Sequence, residues 1–171
     1  MNQTTKELLN LIQKSTSPYH TVAASKELLL ANGFTQLSLG EDWTLAPESK
    51  YFVTVFDSSL FAFRTGTAGS RGLKIAAAHT DFPCFRLKPA AEVSTQGYGT
   101  LNVEGYGGMI VSTWMDRPLS LAGKIVTRTS DPFKPQTHLV DFKRPLLSMS
   151  SLAIHMNREV NDGYKWNKQK D

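Results

Sequence analysis

LKIAAAHTDFPCFRLKP, residues 73–89, is the stretch on which the reading of this chain turns. A short apolar run, Leu73, Ile75, Ala76, Ala77 and Ala78, ends abruptly in His79, Thr80 and Asp81. Its length suits a buried strand, and Gly72 and Pro83 punctuate its two ends. His79 then stands at the strand's C-terminal end. In open α/β sheets that edge collects ligands and catalytic groups, because loops leaving the strands converge there without disturbing the core. The stretch therefore predicts an α/β fold with a candidate site at His79 and Asp81.

The His-x-Asp spacing has a physical use. A histidine that holds a metal through one ring nitrogen needs the other fixed, and a carboxylate accepting that N–H sets the tautomer and raises basicity. Asp81 could serve His79 in this way, or could touch a metal itself. A third reading is structural, with His79 capping a strand and Asp81 opening a turn before Pro83. The three residues alone leave all of these open. Cys84 is close enough to raise the question of a thiol nucleophile, yet Pro83 before it and Phe82 and Phe85 around it suit a small buried hydrophobe.

The 171 residues can bury one ordinary core or hold parts of two domains. An apolar fraction of 40% and a charged fraction of 20% describe a globular chain rather than a disordered one. The net charge of +4 comes from scattered residues, and only Lys165, Lys168 and Lys170 cluster. Such a group reads as a solvated segment, so no nucleic-acid partner is expected. MNQTTKELLN lacks a basic region followed by an apolar core, and no apolar run approaches the length of a membrane span. A single cysteine excludes an internal disulfide and fits a reducing, cytoplasmic setting.

Elsewhere the pattern alternates between helix and strand signals. Thr4-x-x-Glu7 reads as a capping box ahead of Leu8, Leu9 and Ile12. Ser17 is a second N-cap with Pro18 at the first helical position; Tyr19, Val22, Ala23, Leu29 and Leu30 line a face until Asn32-Gly33 ends the helix. His20 falls in its first turn and reads as a helix residue. Residues 51–56 and 60–64 are β-rich runs joined by Asp57-Ser58-Ser59, a hairpin signature. Residues 66–72 read as a loop. Five glycines between 97 and 108 lack the lysine and the following helix of a phosphate loop, and serve turns and close backbone approach instead. Residues 124–128 form a strand, Asp131-Pro132 turns, and His138, Val140 and Phe142 alternate along another. Leu152-Ala153-Ile154 is apolar before His155, and KWNKQKD closes no element. The four histidines are separated, with none at i, i+4, so no self-contained three-ligand zinc site is written in the chain.

Taken in order, SPYHTVAASKELLLANGF, AAAHTDFPCFRLKP, YGGMIVSTWMDRPLSLAGKIV and LAIHMNREVNDGYKWNKQ closely resemble segments of the aspartyl aminopeptidase family, the dinuclear zinc metallopeptidases of the vacuolar aminopeptidase I type. The resemblance covers residues 17–169 but only the N-terminal portion of the family. It implies an α/β fold: the start of a zinc-aminopeptidase catalytic domain, helices plus mixed sheet, over residues 1–86, then part of a β-rich dimerisation and assembly domain over 87–171. It implies an enzyme that removes N-terminal Asp or Glu from peptides with zinc-activated water, two zinc ions per complete site, and a homo-oligomer.

Matched residue by residue, the resemblance makes His79 the first zinc ligand, the one ligand present here, and Asp81 the carboxylate that orients it. His155 matches a histidine that reaches a neighbouring subunit's active site and helps bind substrate. Asp116-Arg117 is tempting as a metal site but matches a structural part of the signature. The bridging aspartate, the glutamate base and the remaining ligands belong to later parts of the family's sequence. Two positions depart from the pattern: Phe82 stands where a small serine is common, and Pro118 where an acidic residue often follows Asp-Arg. The alternative is that the chain alone is catalytically inert, a folded fragment or assembly module only.

Overall fold

The computed structural model describes residues 1–67, 69 and 72–163. Lys165, Lys168, Lys170, the closing KWNKQKD and part of the 66–72 loop lie outside the described residues. The chain divides into two compact units: Met1–Asp81 with Leu121–Phe142, and Phe82–Ser120 with the described residues from Lys143 onward.

In the first unit, α1 (Gln3–Lys14) begins two residues earlier than the capping box suggests. Asn2 is the N-cap, its side chain accepting from the backbone N–H and hydroxyl of Thr5, both at 2.8 Å. Asparagine caps at least as well as threonine. Glu7, freed from the box, instead accepts from Gln3 Nε2 at 2.8 Å. The second helix, α2 (Pro18–Ala31), follows the sequence signals closely: Ser17 caps it, Pro18 opens it, and Gly33 past its end takes a φ of +76°. Ser17 is buried, and its hydroxyl lies 2.7 Å from His20 Nδ1. His20 thus belongs to the cap. The buried face is carried by Val22 and Ala24 rather than by Ala23 or Leu30.

A three-stranded mixed sheet follows, with β1 (Thr35–Gln36) parallel to β2 (Lys50–Val55) and β3 (Ser59–Arg64) antiparallel to β2. Strand β2 lies in the middle, and its Tyr51, Phe52 and Val53 are buried. Phe63 gathers Tyr51 and Trp43, with ring centroids 5.6 and 6.2 Å away. The β2–β3 hairpin is the expected one, but its turn places Phe56 and Asp57 together at positive φ, +51° and +58°. Ser58 N–H returns to the Val55 carbonyl at 3.2 Å. This is the positive-φ pair that two-residue turns use to match strand twist. The hairpin β6 (Ala122–Thr127) and β7 (Gln136–Asp141) completes the unit, as the 124–128 run and the alternation through His138 predict. From β6, Lys124 Nζ donates to the Phe56 carbonyl at 2.9 Å, pairs with Asp57 at 3.5 Å and sits 4.6 Å from the Tyr19 ring centroid.

The predicted strand over residues 73–78 is absent. Those residues lie outside any sheet, with Leu73 89% and Ile75 81% exposed. An apolar run of this kind becomes a strand only when neighbours cover both faces and take its ladder bonds. No strand among the described residues does so. His79 therefore ends an uncovered segment, not a sheet edge.

The second unit is built on a long antiparallel hairpin, β4 (Cys84–Thr95) with β5 (Tyr98–Tyr106). The glycine-rich stretch is thus largely a strand, which its composition conceals. Gln96 and Gly97, at φ +51° and +83°, make the turn. The register shifts between Leu87 and Glu92, where Pro89 cannot donate to a ladder and Ala90 takes a φ of +53°. At Gly107 a side chain would meet Pro83, whose Cα lies 3.4 Å from the position of an added Cβ. Phe85 meets Trp114 edge-on at 5.4 Å.

Phenylalanine in the left-handed region is strained, and Phe56 is almost fully exposed. Phe56→Asn keeps the turn with a residue that tolerates positive φ. Thermal denaturation of this variant is expected to show a gain of about 1 kcal/mol; a loss would mean that the Phe56 ring is held by contacts that outweigh the strain.

Candidate functional site

The residues with chemistry to offer divide between the two units. In the first, the apolar run ends at His79 and the chain bends at Thr80. Thr80 anchors the bend by donating its hydroxyl to the Ser58 carbonyl at 2.8 Å. His79 and Asp81 are brought together: His79 Nδ1 lies 2.7 Å from the Asp81 carbonyl oxygen and 3.1 Å from its Oδ1. Both oxygens only accept, so Nδ1 carries the proton and donates. In the neutral ring, Nε2 then keeps its lone pair. The ring is 81% exposed, so that lone pair is accessible.

The sequence suggested the carboxylate as the orienting group; the shorter contact is to the same residue's main-chain carbonyl. No sequence signal marks a backbone acceptor. The Thr80–Ser58 anchor was likewise not read from the sequence, although a hydroxyl between two turn-bending residues is a common source of such bonds.

In chemical terms, His79 offers one neutral imidazole donor of fixed tautomer, which suits zinc. Among the described residues no group of three His, Cys, Asp or Glu side chains comes together that could hold a metal. The donor set thus fits one ligand position with its orienting partner. Cys84 is half-buried at the start of β4. His138 lies on β7 with Nε2 3.3 Å from the Thr127 hydroxyl.

In the second unit, His155 is exposed on a single turn in which Met156 N–H and Asn157 N–H donate to the Ala153 carbonyl at 2.8 and 3.2 Å. Asp116 is a structural residue, as the signature implied. Its Oδ1 accepts the Ser151 N–H at 2.9 Å, and its own N–H donates to the Met149 carbonyl at 2.7 Å. The Ser151 hydroxyl and N–H hold the Asp116 carboxyl below its ordinary range. Arg117 donates to the Thr113 carbonyl at 3.2 Å.

Residues 11–171 match the family described as aminopeptidase I zinc metalloprotease, M18. A probable M18 family aminopeptidase 2 of Clostridium acetobutylicum is 47% identical over 169 residues, 97% of this chain and 39% of the relative. The aspartyl aminopeptidase of Dictyostelium discoideum is 42% identical over 167 residues, 96% of this chain and 34% of that protein. The fold superposes on the S. cerevisiae mApe1 dodecamer structure with a TM-score of 0.78 at 28% identity, covering 90% of this chain and 36% of that one. The helices and mixed sheet thus define the N-terminal part of a metallopeptidase fold. The chain belongs to the M18 aminopeptidase I family of zinc metalloproteases. It spans well under half the length of the Clostridium and Dictyostelium relatives.

Because the folded Asp116 carboxyl is depressed, its contribution to stability is present above the unfolded carboxyl's pKa and lost as pH falls through the lower folded value. The stability difference between wild type and Asp116→Asn, followed by urea denaturation, should be full near neutral pH and close on acidification below the ordinary carboxylate range. A difference that is constant with pH would sink the assignment.

Proposed function

We propose that the complete protein is a zinc aminopeptidase that removes N-terminal Asp or Glu from peptides, and that this chain supplies one corner of its active site. The observation that carries the reading is the commitment of His79 Nδ1 to two acceptors on Asp81, at 2.7 and 3.1 Å, which leaves Nε2 as a metal donor. Family membership supports the metal. The relative named aspartyl aminopeptidase supports the acidic preference.

In this reading His79 holds one of two zinc ions through Nε2, while Asp81 fixes the ring's orientation and tautomer. His155 binds substrate. When bound, zinc supplies a Lewis acid for the scissile carbonyl and a water of lowered pKa. Residues 1–86 serve the catalytic domain and 87–171 the assembly domain. This division concerns which part of the complete protein a residue serves, and β6 and β7 pack with the first unit while serving the second. A homo-oligomer is expected, with the dodecamer described for the yeast relative as support. The reading needs neither nucleic acid nor membrane, and no helix among the described residues is long and apolar enough to cross one. A cytoplasmic setting accords with the single cysteine.

In the full-length protein, His79→Ala should abolish release of N-terminal Asp and lower bound zinc measured by plasma emission. Asp81→Ala should weaken zinc affinity by about 10-fold or more. Zinc content and turnover that both survive His79→Ala would remove His79 from the site.

A second reading concerns the chain by itself, which groups only His79 and Asp81 among its described residues. The isolated 171 residues are then inert and bind zinc weakly. Equilibrium dialysis should find no stoichiometric zinc at micromolar metal, and tight one-to-one binding would overturn this.

A further inference from the structure

The Asp116 carboxylate has a task that the metal-site and signature readings leave unassigned. Residues 116–119 run antiparallel to 147–151: Leu119 N–H donates to the Leu147 carbonyl at 2.9 Å, and Leu146 and Leu147 N–H return to the Leu119 carbonyl at 2.9 and 3.2 Å. Asp116 N–H extends this ladder to the Met149 carbonyl at 2.7 Å. There the backbone leaves, because Asp116 takes a φ of +55°. The next donor, Ser151 N–H, meets the Asp116 side chain instead, at 2.9 Å, so a carboxylate stands in for the missing main-chain acceptor. That contact gives the carboxylate a main-chain donor within hydrogen-bond distance.

Among the described residues this support ends beyond Ser151. Leu152, Ala153, Ile154, His155 and Met156 are all exposed, and among the described residues the turn that presents His155 is closed by its own bonds to the Ala153 and Ile154 carbonyls. A short exposed turn of this kind takes its position from its anchors. Its N-terminal anchor is the Asp116–Ser151 contact, four positions before His155.

We infer that Asp116 is a positioning residue whose bond from the Ser151 N–H fixes the turn that displays His155. The inference rests on the proposed role of His155 in substrate binding. Aspartate suits the position twice over, since it tolerates positive φ and its charge strengthens the bond from the Ser151 N–H.

The test uses the full-length oligomeric protein with Asp116→Asn, which keeps a residue tolerant of positive φ but removes the charge. Hydrogen exchange of the amides of residues 151–157 should rise by about tenfold, with exchange in β4 and β5 unchanged. KM for an N-terminal Asp peptide should rise by about threefold with kcat little altered. In a His155→Ala background Asp116→Asn should add nothing further to KM, because both changes act through one side chain. Unchanged exchange in 151–157, or a KM effect that persists in full without His155, would overturn the inference. If His155→Ala itself leaves KM untouched, the role of His155 fails, and the exchange result alone then upholds or overturns Asp116 as the anchor. Should Asp116→Asn disrupt assembly in light scattering, Asp116→Gly, which keeps the positive φ and removes the acceptor, carries the same readouts with larger expected changes.

Discussion

The first unit depends on β2 having a neighbour at each edge. β3 pairs along the whole of β2 on one side and β1 pairs with Tyr51 and Phe52 on the other, so that Tyr51, Phe52 and Val53 can be withdrawn from water. Burying a phenylalanine side chain such as Phe52 is worth roughly 1.5–3 kcal/mol, a large share of the net stability of any small unit. The rest of the unit is arranged to preserve that burial. Lys124 ties the far hairpin to the β2–β3 turn through the Phe56 carbonyl and Asp57, and Thr80 ties the candidate site to the same turn through Ser58. His79 is placed by a chain of contacts that begins at the sheet.

Local signals were legible wherever the physics is local. Ser17-Pro18 and Asn32-Gly33 bracket α2 because capping and positive φ act within a few residues. The β-rich runs of β2 and β3 and the alternation read through β7 reflect strand partners close by in the sequence. Strand β5 was hidden because glycine carries no strand preference; what holds it is pairing with β4, a tertiary effect invisible to a window of residues. Residues 73–78 failed in the opposite sense. Their composition is right for a buried strand, but composition cannot supply the neighbours that a buried strand requires.

The candidate site was legible in its residue types and only partly in its geometry. His79 and Asp81 do meet, as a His-x-Asp spacing allows. That the nearer acceptor is a main-chain oxygen could not be read, since every residue has one. Asp116 was recognisable as structural, whereas its partner Ser151 lies 35 positions away and shares no pattern with it. Contacts across such a separation exist only once the fold has brought the segments together.

The uncovered run at 73–78 also bears on how such a protein is made. Leu73 and Ile75 stand in water on a stretch that no described strand pairs with. A segment in that condition is a template for any other extended chain, including a second copy of itself. Lys74 within it and the bends at Thr80 and Pro83 beyond it offer a charge and a break, the usual restraints on such pairing. While residues 73–78 are uncovered, two such chains are therefore prone to pair with one another through this run.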